Sequence, residues 1–223
     1  MTISQTALNK KNEEYLFRNS MGNNDDTEFV FQSAYRFDEP YMQISKLQAK
    51  TLQGVIKCNN IHKILEVGTF VGYSGISFLK VLPEGGEVNT IEINNDFFTQ
   101  AVKNLSQYNS LYKPKAIMNI LFGDAKLVIP KHIQLIKDSD MIFLDGDKLN
   151  YTFYVKLFQQ HMKVGAFLII DNTLFKGNVA KARQNEYAAA IDKAIIYLKE
   201  CNTFSFYFVP IGDCMLIARK GEL

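Results

Sequence analysis

From Ile61 onward the chain alternates short apolar runs with amphipathic stretches, and this alternation limits the fold more than any other feature. The apolar runs are Lys63–Val67, Val88–Ile93, Ile117–Phe122, Met141–Asp145, Ala166–Asp171, Phe204–Pro210 and Met215–Arg219. Several are apolar at consecutive positions, as strands covered on both faces must be. Stretches with helical spacing lie between them, Phe97–Leu111 and Tyr151–Met162 among them. Strand and helix alternating at this pitch predict an α/β fold, a mostly parallel sheet with helices on both faces. Only Ile211–Cys214 separates the last two runs. That is too short for a crossover helix, so these runs should form an antiparallel C-terminal hairpin at one sheet edge. Residues 1–60 have a different texture. They are polar and helical, interrupted at 23–26 by Asn-Asn-Asp-Asp and again at Pro40, with Ile44, Leu47, Leu52, Val55 and Ile56 at helical spacing. They read as a helical cap segment on a main domain spanning 61–223.

Composition removes several classes of function. With 223 residues, 47% of them hydrophobic, the chain can bury a core without a disulfide or a structural metal. A formal net charge of +2 gives no electrostatic reason to expect nucleic acid or an anionic membrane as partner. Cys58, Cys201 and Cys214 are far apart, as are His62, His132 and His161. Zinc-ligand spacing and a disulfide framework are therefore absent, and reduced thiols in a cytoplasmic protein are expected. The segment MTISQTALNKKNEEYLF has no apolar leader, and no run reaches the ~18 apolar residues of a transmembrane helix.

Ligands of an open parallel sheet sit beyond the C-terminal ends of the strands, at the topological switch. The first such end reads ILEVGTFVGYSG, with Glu66, Gly68, Gly72 and Gly75. Glycine there lets backbone approach a ligand and eases a tight strand-to-helix turn. The second strand ends in Glu92, placed to accept from both hydroxyls of a ribose. A dinucleotide fingerprint would need glycine at position 70, where Phe70 stands. A pyrophosphate would also be repelled by Glu66, whereas S-adenosylmethionine carries a sulfonium cation and no phosphate. The third strand ends in Gly123-Asp124-Ala125, where a small residue suits an adenine edge and Asp124 can also cap the next helix.

The fourth apolar run ends in FLDGDKLNY and the fifth in LIIDNTLF. If these strands are neighbours, about 4.8 Å apart, then Asp145, Asp171 and Asn172 share one crevice. Two carboxylates and an amide carbonyl are hard oxygen donors, suited to Mg²⁺, Ca²⁺ or Mn²⁺ and unsuited to zinc. A cation would also relieve the repulsion of paired carboxylates. The alternative is that each aspartate merely caps a following helix. Lys148, three residues beyond Asp145, is a candidate general base beside such a cation.

Together, ILEVGTFVGYS, LDGDKLNY, DNTLF and VPIGDCMLIARK resemble the cation-dependent class I O-methyltransferases, the caffeoyl-CoA and catechol type. The resemblance spans roughly residues 40 to 220, and EEYLFRNS is similar to the family's first helix. It implies a Rossmann-like seven-stranded sheet, a methyltransferase domain over 61–223, and a homodimer. By position, Asp145, Asp171 and Asn172 match metal ligands, and Lys148 matches the base. Glu66, Gly68, Thr69, Ser74, Glu92, Ala125, Asp147 and Ile44 match contacts to S-adenosylmethionine. Met42, Tyr154 and Lys176 fall near the acceptor. The chain departs from the family at Gly146 (commonly alanine), Phe175 (usually tryptophan) and Cys214 (usually glycine), and it fits poorly between Arg18 and Pro40. The reaction implied is methyl transfer to one hydroxyl of a vicinal aromatic diol. Two rivals come from the same residues. A nicotinamide oxidoreductase could use the same sheet. A haloacid-dehalogenase-type phosphotransferase is suggested by Asp145-Gly146-Asp147, although that motif should end a first strand. Lys176, Lys181 and Arg183 could meet the phosphates of a coenzyme A ester, or simply be solvated.

Overall fold

The computed structural model describes residues 10–20, 26–181 and 185–222. Arg183 and most of the Asn-Asn-Asp-Asp break lie outside them, as do residues 1–9. The chain begins with α1 (Lys10–Asn19), α2 (Glu28–Ser33) and α3 (Lys46–Cys58). The helical spacing read from Ile44 to Ile56 becomes a helix only from Lys46. Pro40–Met42 form a 3₁₀ turn, and Ser45 opens α3 with a reciprocal capping box to Gln48.

The remaining elements are β1 (Lys63–Val67), α4 (Tyr73–Leu79), β2 (Glu87–Glu92), α5 (Asn95–Tyr112), β3 (Ile117–Phe122), α6 (Ala125–Lys131), α7 (Gln134–Asp138), β4 (Met141–Leu144), α8 (Tyr151–His161), β5 (Phe167–Ile170), α9 (Glu186–Glu200), β6 (Phe204–Val209) and β7 (Met215–Lys220). All seven apolar runs are strands, within a residue or so of their expected ends. They form one sheet in the order β3-β2-β1-β4-β5-β7-β6. Strands β1 to β5 are parallel, and β7 pairs antiparallel with both β5 and β6. The hairpin is therefore folded back, with β7 inside the sheet and β6 at its edge.

Strand periodicity divides the apolar residues between two cores. On one face Ile64, Met141, Phe143, Ile169 and Met215 meet Leu52 and Ile56 of α3, Phe78 of α4 and Tyr108 of α5. On the other, Leu65, Val67, Ile142, Leu144, Leu168 and Ile170 meet Ile129, Tyr151, Phe158 and Leu198 from α6, α8 and α9. Helix α3 thus shares a core with β1. The three cysteines are free. Among the described residues no helix is long and apolar enough to cross a membrane.

The strand order places the switch between β1 and β4, whose exits diverge toward β2 on one side and β5 on the other. Close approach is needed there. Gly68 has φ +97°, and a Cβ on it would stand 2.9 Å from the Gly146 nitrogen; a Cβ on Gly146 would stand 2.9 Å from Gly68 Cα. An alanine at position 146 would not fit this spacing without a backbone shift.

Candidate active site

Beyond the tips of β1 to β4 lies a cavity of about 360 Å³, lined by Met42, Gly68, Phe70, Glu92, Phe97 and Ala125 among others, with Asp145, Gly146 and Asp147 on its β4 side. Its volume suits a nucleoside-sized ligand. Sequence reasoning missed Phe97 as a lining residue. Phe70 adopts φ +50°, a conformation that favours glycine. Its ring meets Phe97 edge-on at 4.7 Å, and Phe37 packs on both, so the N-terminal segment closes one wall.

Glu92 is buried, and its carboxylate holds the glycine turn. Oε2 accepts from the backbone N–H of Thr69 (3.2 Å) and Phe70 (2.8 Å), and Oε1 accepts from Asn94 N–H (2.8 Å). Asp124 caps α6 through Lys126 N–H, and Ala125 lines the cavity. Asp147 also lines the cavity. Its carboxylate is held by the Tyr154 hydroxyl at 2.7 Å and by the Asn150 amide.

Other expected contacts lie behind this surface. Thr69 is buried, with its hydroxyl 2.6 Å from that of Thr90. Ser74 is buried in the first turn of α4, and the Ile44 side chain packs into the first core. None of the three lines the cavity. Tyr154, which the resemblance sets near the acceptor, has its ring wholly buried in the second core, packed on Phe153 and Phe158. It orients Asp147 and presents no surface to a ligand. Lys176 is exposed, with Nζ 5.0 Å from the exposed ring of Tyr41, and Met42 is partly exposed at the cavity wall. Lys181 pairs with Asn178, and Phe175 stacks on Tyr187.

Glu66 points into the first core, where a Cβ on Gly75 would lie 3.0 Å from its Oε2. It has no exposed surface, and neither carboxylate oxygen has a hydrogen-bond partner. Burial pushes its pKa up to about 8; the nearby Ser74 and Thr90 hydroxyls pull it back only in part, and the charges of Asp145 and Glu92 raise it further.

The second half of the site lies at the tips of β4 and β5, which are parallel neighbours with Leu144 opposite Ile170. The backbone N–H of Asp145 bonds to Val67 and that of Asp171 to Leu144, so the ladder holds both residues in place. Neither carboxylate caps a helix: α8 is opened by Asn150, and Asp171 leads into a turn. Lys148 Nζ stands 3.4 Å from Asp145 Oδ1 and 3.2 Å from its carbonyl oxygen. Burial raises the pKa of Asp145, and Lys148 lowers it in part. Asp171 is pushed up to about 8, by burial first and then by the charge of Asp145. Asn172, at φ +56°, follows with its amide near Asp171. Among the described residues no three His, Cys, Asp or Glu side chains cluster as metal ligands. The candidate set is two carboxylates and an amide. One lysine ammonium cannot balance two carboxylates held at low polarity, and a dication can. The donors present fit a hard divalent cation.

A protein-family model described as O-methyltransferase matches residues 25–221. Among curated relatives, a flavonoid 3',5'-methyltransferase of Vitis vinifera is 26% identical over 176 residues, 74% of this chain and 73% of that protein. Caffeoyl-CoA O-methyltransferase 2 of Populus trichocarpa is 26% identical over 192 residues, 80% of this chain and 75% of its own length. An O-methyltransferase from Bacillus cereus, solved in complex with SAH, shares the fold with a TM-score of 0.80 at 23% identity, covering 93% of this chain and 96% of that one.

Proposed function

We propose, from the premise that the chain belongs to the O-methyltransferase family, that it moves a methyl group from S-adenosylmethionine to one hydroxyl of a vicinal aromatic diol held beside a divalent cation. The observation that carries the cation is the Asp145–Asp171 pair, withdrawn from water at two adjacent strand tips with Lys148 as the nearby ammonium. The observation that carries the donor is the cavity along the β1–β4 tips, which has a nucleoside's volume and is walled by the glycine turn and Glu92.

When bound, the donor supplies a methyl group activated by the sulfonium, and the cation supplies charge that favours the phenolate over a phenol of pKa about 10. Asp145, Asp171 and Asn172 would hold the cation. Gly68 and Gly146 keep the wall between the two crevices at backbone thickness, so donor and acceptor can lie close together. Glu92 keeps the glycine turn in place and offers its remaining lone pairs to a ribose. Asp147, fixed by Tyr154 and Asn150, faces the same cavity. Lys148, in its neutral amine form, would take the proton from the acceptor hydroxyl. Positioning of this kind can supply about 7–11 kcal/mol in favourable cases. The nicotinamide reading is disfavoured by Phe70 and Glu66. The phosphotransferase reading is disfavoured by the place of Asp145-Gly146-Asp147 after β4.

The test is methyl transfer from labelled S-adenosylmethionine to small catechols and to coenzyme A thioesters of caffeoyl type, with and without EDTA. Transfer to vicinal diols, lost in EDTA and restored by Mg²⁺ or Mn²⁺, is expected. Turnover unaffected by EDTA would remove the cation from the reading. Equal methylation of monophenols would remove the diol.

A further inference from the structure

Gln48 lies far from every motif in the sequence, yet it touches Asp171 of the acidic pair. It is 3% exposed and sits in the first turn of α3. Its Oε1 accepts from Ser45 N–H at 2.9 Å, and its Nε2 donates to Asp171 Oδ1 at 2.9 Å. The orientation of the amide follows from chemistry, because a backbone N–H can only donate: Oε1 must face Ser45, and the NH₂ group then faces Asp171. A second observation shows that the fold makes room for this amide. Gly212, in the β6–β7 turn at φ +62°, lies so close that a Cβ there would fall 2.3 Å from Gln48 Oε1 and 2.7 Å from Nε2. The same turn grips the chain beyond Asp171, because the Cys214 carbonyl accepts from both the N–H and the hydroxyl of Thr173 at 2.9 Å.

We infer that Gln48 is a positioning residue for Asp171, holding one carboxylate oxygen so that the other is presented toward Asp145, and that through the Ser45 cap it ties the segment carrying Met42 and Ile44 to the cation site. This rests on the cation reading above and adds a residue that reading does not use. A carboxylate on a β-strand tip can rotate about χ1 and χ2. One fixed oxygen leaves it a single useful orientation, and the ordering cost is met at folding instead of at binding.

Two variants separate this role from a purely structural one. Gln48→Glu keeps the capping box, since glutamate is a usual partner at that position, but it replaces the donor to Asp171 with an acceptor. Gln48→Ala removes both. Mn²⁺ binding, measured by calorimetry and by the electron paramagnetic resonance of the free ion, should weaken about tenfold in Gln48→Ala, with S-adenosylhomocysteine binding in EDTA within twofold of wild type. Gln48→Glu should have a lower melting temperature than wild type in EDTA, and saturating Mn²⁺ should recover most of the difference. The role is overturned if Gln48→Ala binds Mn²⁺ as wild type does, or if Gln48→Glu melts like wild type in EDTA. Absence of Mn²⁺ binding in the wild-type protein itself would instead remove the cation reading, and this role with it.

Discussion

Glu92 and Asp171 are both buried carboxylates at or just beyond the ends of parallel strands, and the protein treats them in opposite ways. Glu92 accepts three backbone N–H bonds and fastens the turn after β1. Asp171 receives one side-chain amide, has a second 3.4 Å away, and shares its crevice with another aspartate. The first carboxylate is satisfied by the fold itself, as buried anions must be if they are to cost little. The second is left short of positive charge, a state that a fold retains where a ligand completes it. The turn after β1 is therefore preorganised by the chain, whereas on the proposed reading the acidic pair would be completed by a cation.

Four experiments sharpen or break this contrast. Asp171→Ala should reduce methyl transfer on the order of 100- to 1,000-fold, equivalent to roughly 3–4 kcal/mol of lost transition-state stabilisation. S-adenosylhomocysteine affinity should stay within a few-fold, and a variant fully active in EDTA would remove the cation from the reaction. Glu92→Ala should behave in the opposite way. It strands the amides of Thr69 and Phe70 and should cost about 2 kcal/mol or more in chemical denaturation, with at least tenfold weaker binding of S-adenosylhomocysteine. If only activity fell, Glu92 would not be holding the turn.

The third experiment concerns Glu66, whose folded pKa of about 8 lies above its ordinary value of 4.5. Folding then favours the protonated form. Its contribution to stability is whole below pH ~4.5 and is lost as pH rises through about 8. Glu66→Gln should flatten the fall in melting temperature over that window in ligand-free protein. Parallel pH curves for the two proteins would show that the carboxylate is satisfied after all. The smallest effect is expected from Gly146→Ala. The close contact with Gly68 should cost about 1–3 kcal/mol, visible as a fall in melting temperature of about 2–4 °C per kcal/mol. A silent Gly146→Ala would mean that the wall between the crevices has slack.

Much of this was readable along the chain. Consecutive apolar residues marked buried strands, since each strand must cover two cores. The glycine turn, Glu92, Asp145 and Asp171 all stood at strand ends because the sheet brings that edge to its ligands. Ser45 and Gln48 also showed the capping-box spacing, the one local signal that could have drawn attention to Gln48. The resemblance set Tyr154 near the acceptor by position alone, which does not say what covers that face of the helix. Here α8 turns Tyr154 into the second core, with its hydroxyl on Asp147.

Local periodicity records how each element is buried, so the amino-acid order by itself determined the strands, their alternation with helices and the acids at their tips. Which of those tips meet was decided only in three dimensions. The insertion of β7 between β5 and β6, the contact of Gly68 with Gly146, and the reach of Gln48 to Asp171 across 123 positions all depend on strand order and register. Those are set by how two cores pack against one sheet, a property of the whole chain that no single stretch of it contains.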